Sequence, residues 1–286
     1  MKESPIGIIG AGPMGAGIAQ ITAQAGKQVL LSDVSIDRAN AAIAGIKSRL
    51  AKRVADQKMT QQDLDKTLAN LKAVPGLSSL KDCPIIVEVV FEEFEVKKKT
   101  YAELAPFLTA DTLLCTNTST IAITKLATAV KHPERFVGTH YFNPVPAMRL
   151  VEVIKGFKTG QAAVDEALAF CKAIGKTPVV VKDSPAFIVN RILGPMLNEA
   201  CFLLMEGVAT KEDIDAAMKL GANHPMGPFE LADLIGLDIC LHEIELMYEQ
   251  FADSKYRPAN LLKQMVMAGH LGRKTGKGFY DYTGKS

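Results

Sequence analysis

The chain has 286 residues, 48% of them hydrophobic, and its Lys+Arg 33 nearly cancel its Asp+Glu 31. That length and apolar content suit two domains with sizeable cores, while the balanced charge gives no reason to expect a nucleic-acid or membrane surface. No apolar run is long enough to span a bilayer, and "MKESPIGIIG" enters a strand pattern too early for a signal or transit peptide, so a cytoplasmic chain is expected. Cys83, Cys115, Cys171, Cys201 and Cys240 are scattered without C-x-x-C spacing, which points to reduced, buried thiols rather than a zinc site or a disulfide framework.

The first signal along the chain is "IGIIGAGPMGAGIAQ", residues 6–20. Ile6, Ile8 and Ile9 make a short apolar run suited to a buried strand. Met14, Ile18, Ile21 and Thr22 then recur at helical spacing up to Gly26, a C-cap residue. Between them Gly10, Gly12 and Gly15 follow G-x-G-x-x-G spacing. In the dinucleotide fold the first glycine makes the tight turn, the second lets a pyrophosphate approach the backbone, and the third lets helix pack on strand. Pro13 and Met14, inside the turn, join these glycines as expected cofactor contacts. "QVLLSD" is a second strand candidate, and Asp33 at its end stands where a carboxylate would accept hydrogen bonds from ribose hydroxyls and repel a 2′-phosphate. NAD is therefore read over NADP, although Arg38 lies close enough to leave NADP open.

From Ser35 to about Lys72 the pattern is helical and charged, and "TQQD" opens a second helix at Thr60; this reads as an inserted helical hairpin. Short apolar runs follow from 85, 112, 135, 149 and 177, several separated by helical segments, which is the rhythm of an α/β sheet. Strands stop after Val181. Ser184 with Pro185 reads as the N-cap and first residue of a helix, and helices broken by Gly and Pro fill the rest, with "TKED" at 210 repeating the capping pattern. The expected architecture is a Rossmann-type, mostly parallel α/β domain over 1–183, followed by an all-α domain over 184–286.

Four polar residues qualify for chemistry. Ser119 follows the strand ending near Cys115, in the loop that also holds Asn117, an expected cofactor contact. His140 lies in "GTHYFNPVP", Glu152 interrupts "RLVEVI", and Asn190 falls on the first helix of the second domain. Singly, each has an ordinary structural reading: a turn serine, a core histidine, an edge-strand carboxylate facing water, a helix-face amide. Together they describe an oxidoreductase site. Hydride removal from an alcohol carbon requires loss of the hydroxyl proton, and imidazole, which ordinarily titrates at about 6.5, accepts it at neutral pH. A carboxylate on the other ring nitrogen would hold the tautomer and stabilise the imidazolium, and Ser119 and Asn190 would hydrogen-bond the reacting oxygen or hold the nicotinamide.

The motifs "GIIGAGPMGAGIAQ", "NTST", "GTHYFNPVP", "LVEVI", "SPAFIVNRIL", "MKLGANHPMGPFELADLIGLD" and "GRKTGKGFYDY" occur in order along essentially the whole chain. Their order and wording resemble the L-3-hydroxyacyl-CoA dehydrogenase family, in particular its short bacterial 3-hydroxybutyryl-CoA type. The resemblance implies NAD as cofactor, an acyl-CoA substrate, a place in fatty-acid metabolism, and a homodimer formed by the helical domain. It also implies a catalytic His140–Glu152 pair with Ser119 and Asn190 at substrate and nicotinamide. Asp33, Glu92, Lys97, Asn143 and Lys274 fall on its NAD-contacting positions. Lys52 and Arg53, on the inserted hairpin, are expected to meet the CoA arm. Ala186 departs from a common family Gly, Thr120 from a usual Ser, and Val89 and Phe91 are bulkier than the usual strand end. A related sugar-acid dehydrogenase of the L-gulonate type, or a nucleotide-sensing or structural protein without turnover, are the other readings.

Overall fold

In the computed structural model, which describes residues 4–284, the opening apolar run becomes β1 (Ile6–Ile9), buried on both faces. Gly10 turns the chain at φ +105°, a backbone region closed to ordinary side chains, and Pro13 starts α1 (Pro13–Gln24) with Gly12 as its extended N-cap. At Gly15 the constraint is distance: a Cβ there would lie 1.9 Å from the Gly10 carbonyl oxygen, so helix and strand approach this closely only without one. Gly26, at φ +82°, follows the end of α1 and leads into β2 (Val29–Ser32).

The inserted hairpin comprises α2 (Ile36–Ala55) and α3 (Gln61–Ala69). Their N-caps are Ser35, whose Oγ accepts from Arg38 N at 3.4 Å, and Thr60, whose Oγ1 accepts from Asp63 N at 3.1 Å. The helical pattern that the sequence carries to about Lys72 ends at Ala69. Leu71–Ala73 instead pair with β2 as β3, a strand too short to show its own periodicity. The sheet continues through β4 (Ile85–Glu88), β5 (Leu113–Thr116), β6 (Phe136–Tyr141), β7 (Leu150–Lys155) and β8 (Thr177–Lys182). Its connections are made by α4 (Phe94–Leu104), α5 (Ile123–Leu126) and α6 (Gln161–Ala173).

Strand order is β3-β2-β1-β4-β5-β6-β7-β8. Neighbours run parallel except β6 and β7, which are antiparallel. The order reverses at β1, between β2 and β4, and there the carboxyl ends of the strands leave a crevice. Ile8, Leu31, Val87, Cys115, Val137 and Val153 form a continuous buried cluster with the inner faces of α1, α2, α3 and α6. All five cysteines are free and buried.

The chain divides into two compact units between Ser184 and Pro185. The helix read as starting at Pro185 begins only at Val189, with α7 (Val189–Met205). Ala186 and Phe187 hold left-handed conformations, φ +60° and +54°, and two such residues in succession cannot be part of a right-handed helix. The glycine-like geometry at Ala186 falls where the family resemblance places Gly. Helices α8 (Lys211–Gly221), α9 (Pro228–Ile235), α10 (Leu237–Phe251) and α11 (Asn260–Met267) complete the second unit around Leu197, Phe229, Leu237, Ile244 and Leu262. Asp215 caps α9 through Phe229 N at 2.8 Å, and Asp233 accepts from Phe279 N and Tyr280 N, both at 2.9 Å. These carboxylates explain much of "GRKTGKGFYDY": it is a terminal clasp whose Gly278 has no room for a Cβ beside Asp233. Among the described residues no helix is long and apolar enough to cross a membrane.

The second and third glycines of the turn separate experimentally. Gly15→Ala should lower unfolding stability by about 2 kcal/mol or more through overpacking against the Gly10 carbonyl, whereas Gly12→Ala, with nothing within 4 Å of its Cβ, should keep the wild-type urea midpoint.

Candidate functional site

The carboxyl-end crevice is a cleft of about 730 Å³ in the first unit, lined by the glycine turn, Asp33, Arg38, the 89–92 segment, Asn117 and Ser119. Pro13 and Met14 also line it. In front of Gly12 the space where a Cβ would project is open, at the N-terminus of α1, where unpaired N–H groups and the helix dipole favour an anion. The Asp33 carboxylate accepts from Ala11 N at 2.6 Å and Val34 N at 2.8 Å, which aims it into the same cleft, and Arg38 Nε lies 2.7 Å from it. These groups fit a dinucleotide: room for phosphates at the helix start, and an acceptor for ribose hydroxyls at the end of β2.

The antiparallel pairing of β6 with β7 sets His140 directly opposite Glu152. Both are almost fully buried, and His140 Nδ1 is 2.7 Å from Glu152 Oε2. Because β7 lies between β6 and β8, the edge-strand reading of Glu152 is excluded, and the His140 imidazole meets the carboxylate inside the sheet. Ser119 Oγ is 3.1 Å from His140 Nε2. Serine, imidazole and carboxylate thus form one chain from the cleft wall into the sheet. Asn117 Oδ1 accepts from Tyr141 N at 3.0 Å, tying the serine loop to the end of the histidine strand, and Phe142 packs against the imidazole with ring centroids 4.5 Å apart.

Below this loop lies a residue that sequence reading passed over. Glu88, fully buried at the end of β4, accepts from Tyr101 Oη at 2.6 Å, Thr116 Oγ1 at 2.7 Å, Val90 N at 2.8 Å and Lys97 Nζ at 2.8 Å. Its signal was the same as that of Glu152: one carboxylate inside an apolar strand, here "IIVEVV". Lys97 is also fully buried, and its ammonium reaches Asn117 O at 3.3 Å and Glu92 Oε2 at 3.5 Å. It therefore bears on the cleft through its neighbours, not by lining the wall. Glu92 lines the cleft and accepts from Ser119 N at 2.8 Å, from Thr120 N and Oγ1, both at 3.1 Å, and from Thr118 Oγ1. Burial opposes its charge, but Lys97 and these donors outweigh burial and hold the carboxyl below its ordinary value. Glu92 and Lys97 thereby fix the shape of the loop that carries Ser119.

Of the other expected contacts, Asn143, Lys52 and Arg53 do not line the cleft. Asn143 is exposed in the turn after β6, joined to Pro144 by a cis peptide. Lys52 and Arg53 are exposed on the last turn of α2, where they also complement the helix dipole. Two belong to the second unit. There Lys274 Nζ contacts both Asp238 carboxylate oxygens, at 2.6 and 2.7 Å, and Asn190 Nδ2 donates to Glu243 Oε1 at 3.0 Å. Burial pushes the Glu243 carboxyl up to about 7.

A doubly wound sheet with an open glycine turn and an acid at the end of its second strand defines a dinucleotide-binding domain of the Rossmann type. The family model described as 3-hydroxyacyl-CoA dehydrogenase, NAD binding domain, matches residues 5–184, and that of the 3-hydroxyacyl-CoA dehydrogenase C-terminal domain matches residues 187–282. The chain belongs to the 3-hydroxyacyl-CoA dehydrogenase family, and its cofactor is NAD. A 3-hydroxybutyryl-CoA dehydrogenase of Bradyrhizobium diazoefficiens is 50% identical over 98% of this chain and 95% of its own. One from Clostridioides difficile is 44% identical over 97% and 99%. The solved (S)-3-hydroxybutyryl-CoA dehydrogenase of Ralstonia eutropha superposes with a TM-score of 0.95 at 45% identity, covering 98% of this chain and 99% of that one.

Replacing Lys97 by Met strands the Glu88 carboxylate without its cation and should cost about 3–5 kcal/mol in urea unfolding; the double variant with Glu88→Gln should recover part of that loss. Glu243 gives a pH signature. Its carboxyl ionises near 7 when folded but at about 4.3 when unfolded, so the folded chain holds more protons between these values and its stability falls as pH rises across that window. Glu243→Gln should therefore raise the melting temperature more at pH 8 than at pH 5, as read by calorimetry.

Proposed function

We propose that this chain interconverts an L-3-hydroxyacyl-CoA and the corresponding 3-oxoacyl-CoA, with 3-hydroxybutyryl-CoA and acetoacetyl-CoA as its substrate pair. The acyl assignment is supported by the names of the full-length relatives from Bradyrhizobium diazoefficiens and Clostridioides difficile. The observation that carries the chemistry is the imidazole held between Glu152 at 2.7 Å and Ser119 at 3.1 Å, with Ser119 on the cleft wall. NAD, when bound, supplies the acceptor for the electron pair leaving C3 of the alcohol. His140 Nε2 takes the hydroxyl proton in that direction and returns it in the other. Glu152, accepting from Nδ1–H, keeps Nε2 as the basic nitrogen and stabilises the imidazolium once the proton arrives. Ser119 Oγ holds the substrate oxygen beside Nε2 and donates to it as it becomes a carbonyl. Asn190 is assigned to the same oxygen by the family resemblance, and Lys52 and Arg53 to the CoA arm.

We place dimerisation on the second unit. Its exposed Leu220, Met267, Ile192 and Val208 offer apolar surface for a second copy.

His140→Ala should lower kcat for acetoacetyl-CoA reduction by about 10²–10⁴-fold while NADH binding, followed by fluorescence, stays at the wild-type level. Glu152→Gln should fold normally and slow oxidation by a smaller factor. Wild-type turnover in the histidine variant would discard the mechanism, and turnover of L-gulonate without acyl-CoA turnover would discard the substrate assignment.

A further inference from the structure

The apolar stripe of α10 is interrupted by a carboxylate. Cys240, Ile244 and Met247 are buried at 3%, 1% and 0% exposure, and with residue 243 they complete the i, i+3, i+4, i+7 face that a helix turns to a core. Packing alone would place an aliphatic side chain at position 243. Glutamate there is costly, as its upward displacement by burial attests. What the carboxylate meets is the Asn190 amide, at 3.0 Å across the α7–α10 contact.

We propose that Glu243 is a positioning residue that fixes the orientation of the Asn190 side chain for the hydroxyacyl-CoA reaction. The inference rests on the assignment of Asn190 to the substrate. A carboxamide has two nearly equivalent orientations, related by a half-turn, that exchange its carbonyl oxygen and its NH₂ group. An ionised carboxylate only accepts, so it selects the orientation that brings Nδ2 toward it and leaves Oδ1 and the second N–H on the other side of the amide. Glutamine at position 243 could pair with either orientation, and leucine with neither. The titratable group one turn away on the same helix is Cys240, whose thiol is itself pushed up by burial. On α7, Arg191 stacks over Phe251 at 4.4 Å and reaches Tyr256 Oη from Nε at 3.3 Å.

The test compares Glu243→Gln, Glu243→Leu, Asn190→Ala and the double variant Asn190→Ala/Glu243→Leu by steady-state reduction of acetoacetyl-CoA with NADH at pH 8, with circular dichroism as a check of folding. Each Glu243 single variant should lower kcat by about three- to tenfold, the factor one hydrogen bond is worth, with the KM for NADH unchanged. In the Asn190→Ala background Glu243→Leu should have no further effect beyond about twofold. An additional loss in that background, or wild-type kcat in folded Glu243→Leu, overturns the inference and leaves the His140 mechanism standing. Wild-type kcat in Asn190→Ala overturns both the inference and the role given to Asn190. Loss of the mechanism as a whole is read separately, from His140→Ala.

Discussion

The site depends on one reversal of strand direction. In an all-parallel sheet the end of β6 and the beginning of β7 would lie on opposite edges, about a strand length apart. Because β7 returns antiparallel, a residue near its start faces a residue near the end of β6, and His140 pairs with Glu152 across the ladder. The same register keeps the pair on the carboxyl edge, beside the crevice left where the strand order reverses at β1. A slip of one residue would turn the carboxylate to the other face of the sheet. The burial that makes Glu152 costly in isolation is what makes the pairing specific, since water offers little competition for the imidazole N–H.

A second buried charge pair sets the other side of the site. Glu88 and Lys97 are removed from water, and such a pair adds little net stability over a well-packed apolar one. Its value here is geometric. The donors around Glu88 belong to segments that must be placed: Val90 just past the end of β4, Thr116 at the end of β5, and Tyr101 and Lys97 on α4, the lysine passing the constraint on to Asn117 and Glu92. Glu92 then gathers Thr118, Ser119 and Thr120 around one carboxylate. The serine loop is thus held by charge-assisted bonds at its base, while Ser119 itself remains at the cleft.

Local patterns made much of this legible in advance. The glycine turn, the acid ending β2, the capping residues Thr60 and Thr210, and the apolar strand runs each follow from short-range geometry, and each appears where its pattern stands. Glu88 was missed although it carries the signal that singled out Glu152, because a lone carboxylate in a strand names no partner. Strand β3 was missed because three residues carry no period, and its pairing with β2 is what makes it a strand. The start of α7 was misplaced because Ser-Pro is a good helix opening locally, whereas the chain here takes two left-handed residues before the helix begins.

What the sequence alone determined is therefore most of the strands and helices and the dinucleotide turn with its acid. These depend on contacts between residues near one another along the chain. The tertiary structure decided how partners meet: the antiparallel register that realises the expected His140–Glu152 pair, the buried Lys97 that bears on the cleft through Asn117 and Glu92, and the carboxylate of another helix that meets Asn190. Those contacts join residues separated by 12, 20 and 53 positions. Strand order, strand direction and helix packing alone bring them together, and no local preference encodes that meeting.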